Sequence, residues 1–227
     1  MTGPQLVTDT RERILIEASK LFTRRGYFGT STRDIARSVG IQQPSLFHHF
    51  ATKLDIMEEL LRYDLQWATG TAERYAAAPM PAWERLYSYI HDDMQHVIHS
   101  PYSIQGLYSS EVMDDPSFSH WHDQRTRLRE AVRTMIRDGI ESREFLGFDP
   151  IFVERVISWF LLGTHRMFNI GLAIEGIEPD WKPEPSLIET AADIMLRGIM
   201  TDPGRAAMRE RGRGAQTLYA PELSDGR

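Results

Sequence analysis

The 227-residue chain carries 41% hydrophobic and 26% charged residues and a formal net charge of −6. That is the balance of a globular protein able to bury a core, not of a disordered one. It has no cysteine, which excludes a disulfide framework and a Cys-ligated zinc site.

The opening MTGPQLVTDTRERI lacks the basic-then-apolar layout of a secretion signal. The most apolar run, Val156 to Gly163, is too short to span a bilayer and is closed off by Arg155, His165 and Arg166. The expected location is the cytoplasm. The charge is unevenly placed: residues 1–55 hold eight Lys or Arg and five acids, a balance of +3, which leaves −9 on the rest. A basic end on an acidic body fits a module that binds a polyanion, although so small an excess decides nothing by itself.

Taken in chain order, nearly every segment reads as helix. Ile14, Ala18, Leu21 and Phe22 give an amphipathic helix over about 10–24 that ends at Gly26. Thr32 reads as an N-cap, and Ile35, Ala36 and Val39 form the apolar side of a short second helix stopping at Gly40. Pro44 is tolerated only in a first turn, where its missing N–H has no partner to lose, so a third helix starts near Gln42 or Gln43. After Thr52, a second N-cap, a long helix runs to the AAAPMP break. Further helices are expected over about 82–99, 103–113, 116–143, 151–172 and 185–200. The tail from Thr201 is rich in Arg, Gly and Pro with few apolar anchors, and is expected to be loose.

Two short helices joined at Gly40 and braced by a longer first helix make a helix-turn-helix, whose second short helix enters the major groove. The residues there suit that task. Gln42, Gln43, Ser45, His48 and His49 offer amides, a hydroxyl and imidazoles that match base edges or phosphates, and residues 41–53 contain no carboxylate to repel a phosphate. The Pro44 ring can touch a thymine methyl.

At these residues the chain resembles the TetR family of bacterial transcriptional repressors. The matching positions are Thr32, Ile35-Ala36, Gly40-Ile41, Phe47-His48-His49-Phe50 and Lys53, with the run Thr32-Arg33 and Gln43-Pro44-Ser45-Leu46 close to the reading surface of the tetracycline repressor. The resemblance covers about residues 10–60 as motif and the remainder only as a helical layout. It implies that Arg33, Gln43, Pro44 and Ser45 contact bases and that Thr32, His49 and Lys53 contact phosphate, while Gln42 and His48 could do either. Phe47 stands where the family usually has a Tyr whose hydroxyl holds a phosphate, so affinity rather than sequence preference should suffer.

The expected architecture is all-α with about nine helices: a DNA-binding domain over 1–55, a helical effector-binding and dimerisation domain over 56–202, and a disordered tail over 203–227. The segment from Ile151 to Leu172 is apolar on most sides (Phe152, Val153, Val156, Ile157, Trp159, Phe160, Leu161, Leu162, Met167, Phe168), and such a helix must be covered all round. The resemblance implies that it pairs with the last helix (Leu187, Ile188, Ala191, Ile194, Met195, Ile199) and their copies in a homodimer. The intervening helices over-use Met, Trp and Tyr, as pockets for flat or irregular apolar ligands do. The residues assigned to an aromatic or phenolic effector are Leu61, Leu65, Leu86, Ile90, Asp93, Met94, Val97, Tyr108, Trp121, Arg125 and Trp159.

A rival reading is metal sensing, because Asp92, His96 and His99 fall at i, i+4 and i+7, with His91 beside them and His120 and His122 further on. A helical interaction protein without DNA binding is a third possibility, but it would not need the polar, Pro-opened helix. An enzyme is not expected: there is no Gly-rich phosphate loop, no G-x-S-x-G, no H-E-x-x-H and no Glu-x-x-His pair. No cofactor is expected either. The function that follows is a ligand-responsive repressor released from a palindromic operator by a small effector.

Overall fold

The computed structural model describes residues 9–170 and 186–210. Among them are ten α-helices and no strand: α1 (Thr10–Arg25), α2 (Thr32–Val39), α3 (Gln43–His49), α4 (Lys53–Ala76), α5 (Ala82–His99), α6 (Ser110–Met113), α7 (Trp121–Glu141), α8 (Pro150–Ile170), α9 (Ser186–Arg197) and α10 (Asp202–Glu210). The chain falls into two compact units. One is built from residues up to Trp67 with His99–Arg125, the other from Ala68–Ile98 with Thr126 onward. The sequence alone placed the boundary between its two domains after residue 55.

The first unit is organised by its caps. The Asp9 carboxylate accepts the Arg11 N–H at 2.9 Å and opens α1, and Gly26 closes it with φ 77°. Ser31, not Thr32, caps α2: its hydroxyl accepts from the Asp34 N–H while the Asp34 carboxylate accepts from the Ser31 N–H. This reciprocal pair satisfies two of the N–H groups a helix start leaves orphaned, and makes Thr32 the first helical residue. Gly40 ends α2 in the left-handed region, φ 78° and ψ 33°, where a side chain would be strained. Thr52 and Asp55 repeat the reciprocal cap at the start of α4. Ile14, Phe22, Ile35, Leu46, Ile56 and Leu60 are buried to 1% exposure or less; each buried side chain of this size contributes roughly 1.5–3 kcal/mol.

The segment expected to be one helix over 103–113 is instead a 3-10 turn, Ile104–Tyr108, followed by the single turn of α6. The reason is its docking on α1. The Gly106 N–H donates to Thr23 Oγ1 at 3.2 Å, the Ser103 N–H donates to Ser19 Oγ at 3.0 Å, and a Cβ on Gly106 would lie 2.6 Å from the Phe22 carbonyl carbon. Likewise Pro116–Phe118 is a 3-10 turn, and α7 begins only at Trp121.

In the second unit Trp83, Leu86, Ile90 and Met94 of α5 pack with Val132, Met135 and Ile136 of α7, Val153, Ile157 and Leu161 of α8, and Ile188, Ala192 and Leu196 of α9. The tail expected to be loose is ordered as far as Glu210. The Thr201 N–H donates to the Glu144 carbonyl at 3.0 Å, its hydroxyl accepts the Gly204 N–H at 3.1 Å, and Gly204 lies so close to the Glu144 carbonyl that a Cβ would meet it at 2.3 Å. Backbone bonds and a close glycine anchor α10, and Met208 packs partly buried against the core. Residues 211–227 lie outside the described residues, as does 171–185, which includes the end of the expected 151–172 helix. No helix among the described residues is long and apolar enough to cross a membrane.

Candidate nucleic-acid interface

The first unit presents α2 and α3 as a helix-turn-helix. Leu46 and Phe50, four residues apart, are buried at 0% and 4% exposure and anchor α3, which turns its polar side chains away from the core. Gln42, Pro44, Phe47, His48 and His49 are exposed, Gln43 and Ser45 are half-buried, and on α2 Arg33 is exposed beside a half-buried Thr32. The candidate base-reading residues of α3 thus project from a segment, residues 41–53, that holds no carboxylate. Gln43 is not loose within it: its Nε2 donates to Thr32 Oγ1 at 2.9 Å.

Lys53 departs from expectation. Its ammonium points inward, donating to the carbonyl oxygens of Tyr27 at 2.7 Å and Thr30 at 2.9 Å, and lies 4.0 Å from the Tyr27 ring centre. Burial draws its pKa down from the ordinary 10.5, opposed by the Glu111 carboxylate. In this arrangement Lys53 clamps the turn between α1 and α2 rather than offering a charge to phosphate. Glu111 completes the clasp by accepting the Tyr27 N–H at 2.6 Å. Burial pushes the Tyr27 phenol up to about 12. Arg11 is also committed: it pairs with Glu59 at 3.0 Å and lies 4.7 Å from the Phe50 ring centre.

Besides Arg33, the exposed cations are ones the sequence reading passed over. Arg24 and Arg25 at the end of α1 and Arg37 on α2 are exposed, Arg37 being held only by a 3.5 Å pair with Asp34. Arg37 stands one turn beyond Arg33, a spacing that was available in the sequence. Nothing there showed that Lys53 and Arg11 would be used internally.

The residues assigned to an effector divide between the units. In the first, Leu61 and Leu65 are fully buried and Tyr108 donates its hydroxyl to the Asp64 carboxylate. Trp121 Nε1 donates to Glu58 at 3.0 Å, and Arg125 donates to the Met113 carbonyl at 3.4 Å. In the second, Leu86, Ile90, Met94 and Val97 lie buried along α5 with Asp93. Trp159 does not join them: 73% exposed, it stands on an outer face of α8 with Phe152 and Val156. Helix α8 therefore splits its apolar residues between a buried side (Val153, Ile157, Leu161) and an uncovered side, which Ile194 of α9 shares in being exposed.

The metal-sensing arrangement does not form. Among the described residues no three His, Asp or Glu side chains converge. Asp92, fully buried, accepts the Tyr75 hydroxyl at 2.6 Å, and His120 pairs with Glu58 at 3.0 Å.

Residues 14–60 match the model described as "Bacterial regulatory proteins, tetR family". The repressor KstR2 of Mycobacterium tuberculosis is 30% identical over 142 residues, 61% of this chain and 70% of that protein. The chain belongs to the TetR family. Its fold agrees with two solved structures: KstR2, described as a ketosteroid transcriptional regulator, at TM-score 0.70 and 25% identity over 86% of this chain and 97% of that one, and AmtR of Mycobacterium smegmatis at TM-score 0.69 and 28% identity over 92% and 97%. Membership makes this a helix-turn-helix transcription regulator of the DNA-binding, repressor type.

Proposed function

We propose that the protein is a homodimeric repressor whose two heads read successive major grooves of a palindromic operator and release it when a small apolar effector binds. The observation that carries the reading is the surface of α3. Leu46 and Phe50 anchor the helix, so Gln42, Gln43, Pro44, Ser45, His48 and His49 project from it with no carboxylate in residues 41–53. Arg33 is the candidate for guanine and Gln43 for adenine, and Thr32 and His49 are the candidates for phosphate.

Dimerisation is supported by the uncovered apolar side of α8 at Phe152, Val156 and Trp159. One head offers too little contact for a specific site, and a two-fold pair doubles it. For the effector, the buried α5 residues Leu86, Ile90, Met94 and Val97, with Ser88, Asp92, Asp93 and His96 as the buried polar groups of the same stretch, favour a ring-bearing apolar molecule. The ketosteroid regulator among the relatives points the same way. An effector that binds better to the non-binding arrangement of heads shifts the population off DNA by that difference in affinity.

Three measurements test this. Fluorescence anisotropy against the promoter fragment flanking the gene, with random duplex as control, should give binding about a thousandfold tighter to the promoter; equal binding to both refutes sequence reading. Steroids and phenols added to the complex should then restore the free-DNA signal, and failure of every ring-bearing compound refutes the effector class. Trp159→Glu should sediment as a monomer with unchanged helicity, whereas an unaltered dimer refutes the α8 interface.

A further inference from the structure

We infer that Thr32 is a positioning residue for base reading: its hydroxyl holds the Gln43 amide in place at the reading surface. The inference deepens the operator-reading function proposed above and rests on it.

Three observations combine. The Gln43 Nε2 donates to Thr32 Oγ1 at 2.9 Å, and both side chains are half-buried rather than free in solvent. Thr32 is the first helical residue of α2, directly after a reciprocal Ser31–Asp34 cap that fixes the local backbone, so its hydroxyl is a rigid anchor. Gln42, next to Gln43 and exposed, makes no capping bond. Two adjacent glutamines thus differ in freedom: one is held and the other is not.

The chemistry gives the held amide a consequence. The terminal torsion of Gln is broad and roughly two-fold, so an unheld amide is spread over many placements and must be ordered when it meets a base. The Thr32 hydroxyl holds that amide in place, and one N–H given to it leaves the second N–H and Oε1 for a base. Adenine offers an acceptor at N7 and a donor at N6 in the major groove, which that N–H and Oε1 match as a bidentate pair. An amide held before binding has less ordering left to do when the pair forms. Thr32 therefore biases Gln43 toward adenine without itself touching a base.

The test uses the full-length protein and a duplex library with a randomised core, sequenced after selection. Wild type, Thr32→Val, Thr32→Ser, Gln43→Ala and the double variant Thr32→Val/Gln43→Ala are compared, with folding checked by circular dichroism. Thr32→Ala replaces Thr32→Val should the latter not fold. At the base pair where Gln43→Ala erases the adenine preference, Thr32→Val should lower that preference about three- to tenfold, a part of what one bidentate pair supplies. Thr32→Ser should preserve it, and the double variant should relax that position no further than Gln43→Ala.

The inference is overturned if Thr32→Val weakens every duplex alike and keeps the wild-type base preference, as loss of a phosphate contact would. Wild-type protein that selects no sequence at all overturns the operator-reading function itself, and the Thr32 role with it.

Discussion

Lys53 separates two readings of one motif residue, and Lys53→Met measures the difference. The substitution keeps the alkyl stem and removes the ammonium, which donates to two carbonyl oxygens at 2.7 and 2.9 Å and sits 4.0 Å from the Tyr27 ring centre. A hydrogen bond to a charged group is worth about 1.5–3 kcal/mol and a cation–π contact about 0.5–1 kcal/mol when exposed. Lys53 is only half-buried, so part of each is lost to water. The expected destabilisation is about 3 kcal/mol. At about 2–4 °C per kcal/mol for a chain of this length, that is a fall of about 6–12 °C in Tm. Urea unfolding followed by far-UV ellipticity reads the first quantity and a thermal melt the second. The salt dependence of DNA binding should keep its slope, because the ammonium is not on offer to a phosphate. A variant that loses under about 0.5 kcal/mol, and whose slope of log affinity against log salt falls by about one per head, would refute the clamp and restore the phosphate contact.

Gly106→Ala should undock the 3-10 turn from α1, since its Cβ would fall 2.6 Å from the Phe22 carbonyl carbon and 2.7 Å from the Thr23 nitrogen; a loss of about 1–3 kcal/mol in urea unfolding is expected. Glu154→Gln should cost about 3 kcal/mol by the same assay, because the carboxylate, 1% exposed, accepts two bonds from Arg133 at 2.8 and 3.2 Å and one from Ser158 at 3.0 Å. The hydrogen bond from Arg11 holds the Glu59 carboxyl below its ordinary 4.5, against the opposing effect of burial. Its contribution is therefore complete above the unfolded value and is lost as pH falls through the depressed one. Glu59→Gln should flatten the stability profile below about pH 4.5 while leaving the neutral-pH slope unchanged; an identical acid profile would remove Glu59 from the account.

The elements that sequence revealed most clearly are those with local punctuation. Pro44 placed the start of α3, Gly40 the end of α2 and Thr52 the cap of α4, because each rests on a backbone rule that operates within a few residues. The same rule misjudged Ser31 and Thr32 by one position, since either hydroxyl can cap and only the partner at Asp34 decides. Segments fixed by distant backbone were not legible. Nothing near Gly106 reveals that Phe22 lies against it, and nothing in residues 202–210 reveals that Glu144 will hold them. Trp159 was read as pocket because its type is common in pockets, yet exposure is a property of the assembled fold rather than of residue type.

The head also shows why a modest charge excess can be enough for a polyanion. Of its eight cations, Arg11 is paired with Glu59, Lys20 with Glu17 and Arg37 loosely with Asp34. Arg13 donates to the Val39 carbonyl at 2.5 Å and Lys53 to the Tyr27–Thr30 turn. Arg24, Arg25 and Arg33 are exposed and, among the described residues, form no ion pair. Four of the five acids are spent in the same way: Asp9, Asp34 and Asp55 accept helix-start N–H groups, and Glu17 accepts from Ser38 and Lys20. Every carboxylate just named is held in a cap or pair, while three guanidiniums remain open to solvent. Formal charge counts all of these groups equally, but a phosphate approaching the surface meets the open ones first. Affinity for a backbone is set by that residue of unspent charge, and preference for a sequence by the amides and rings of α3.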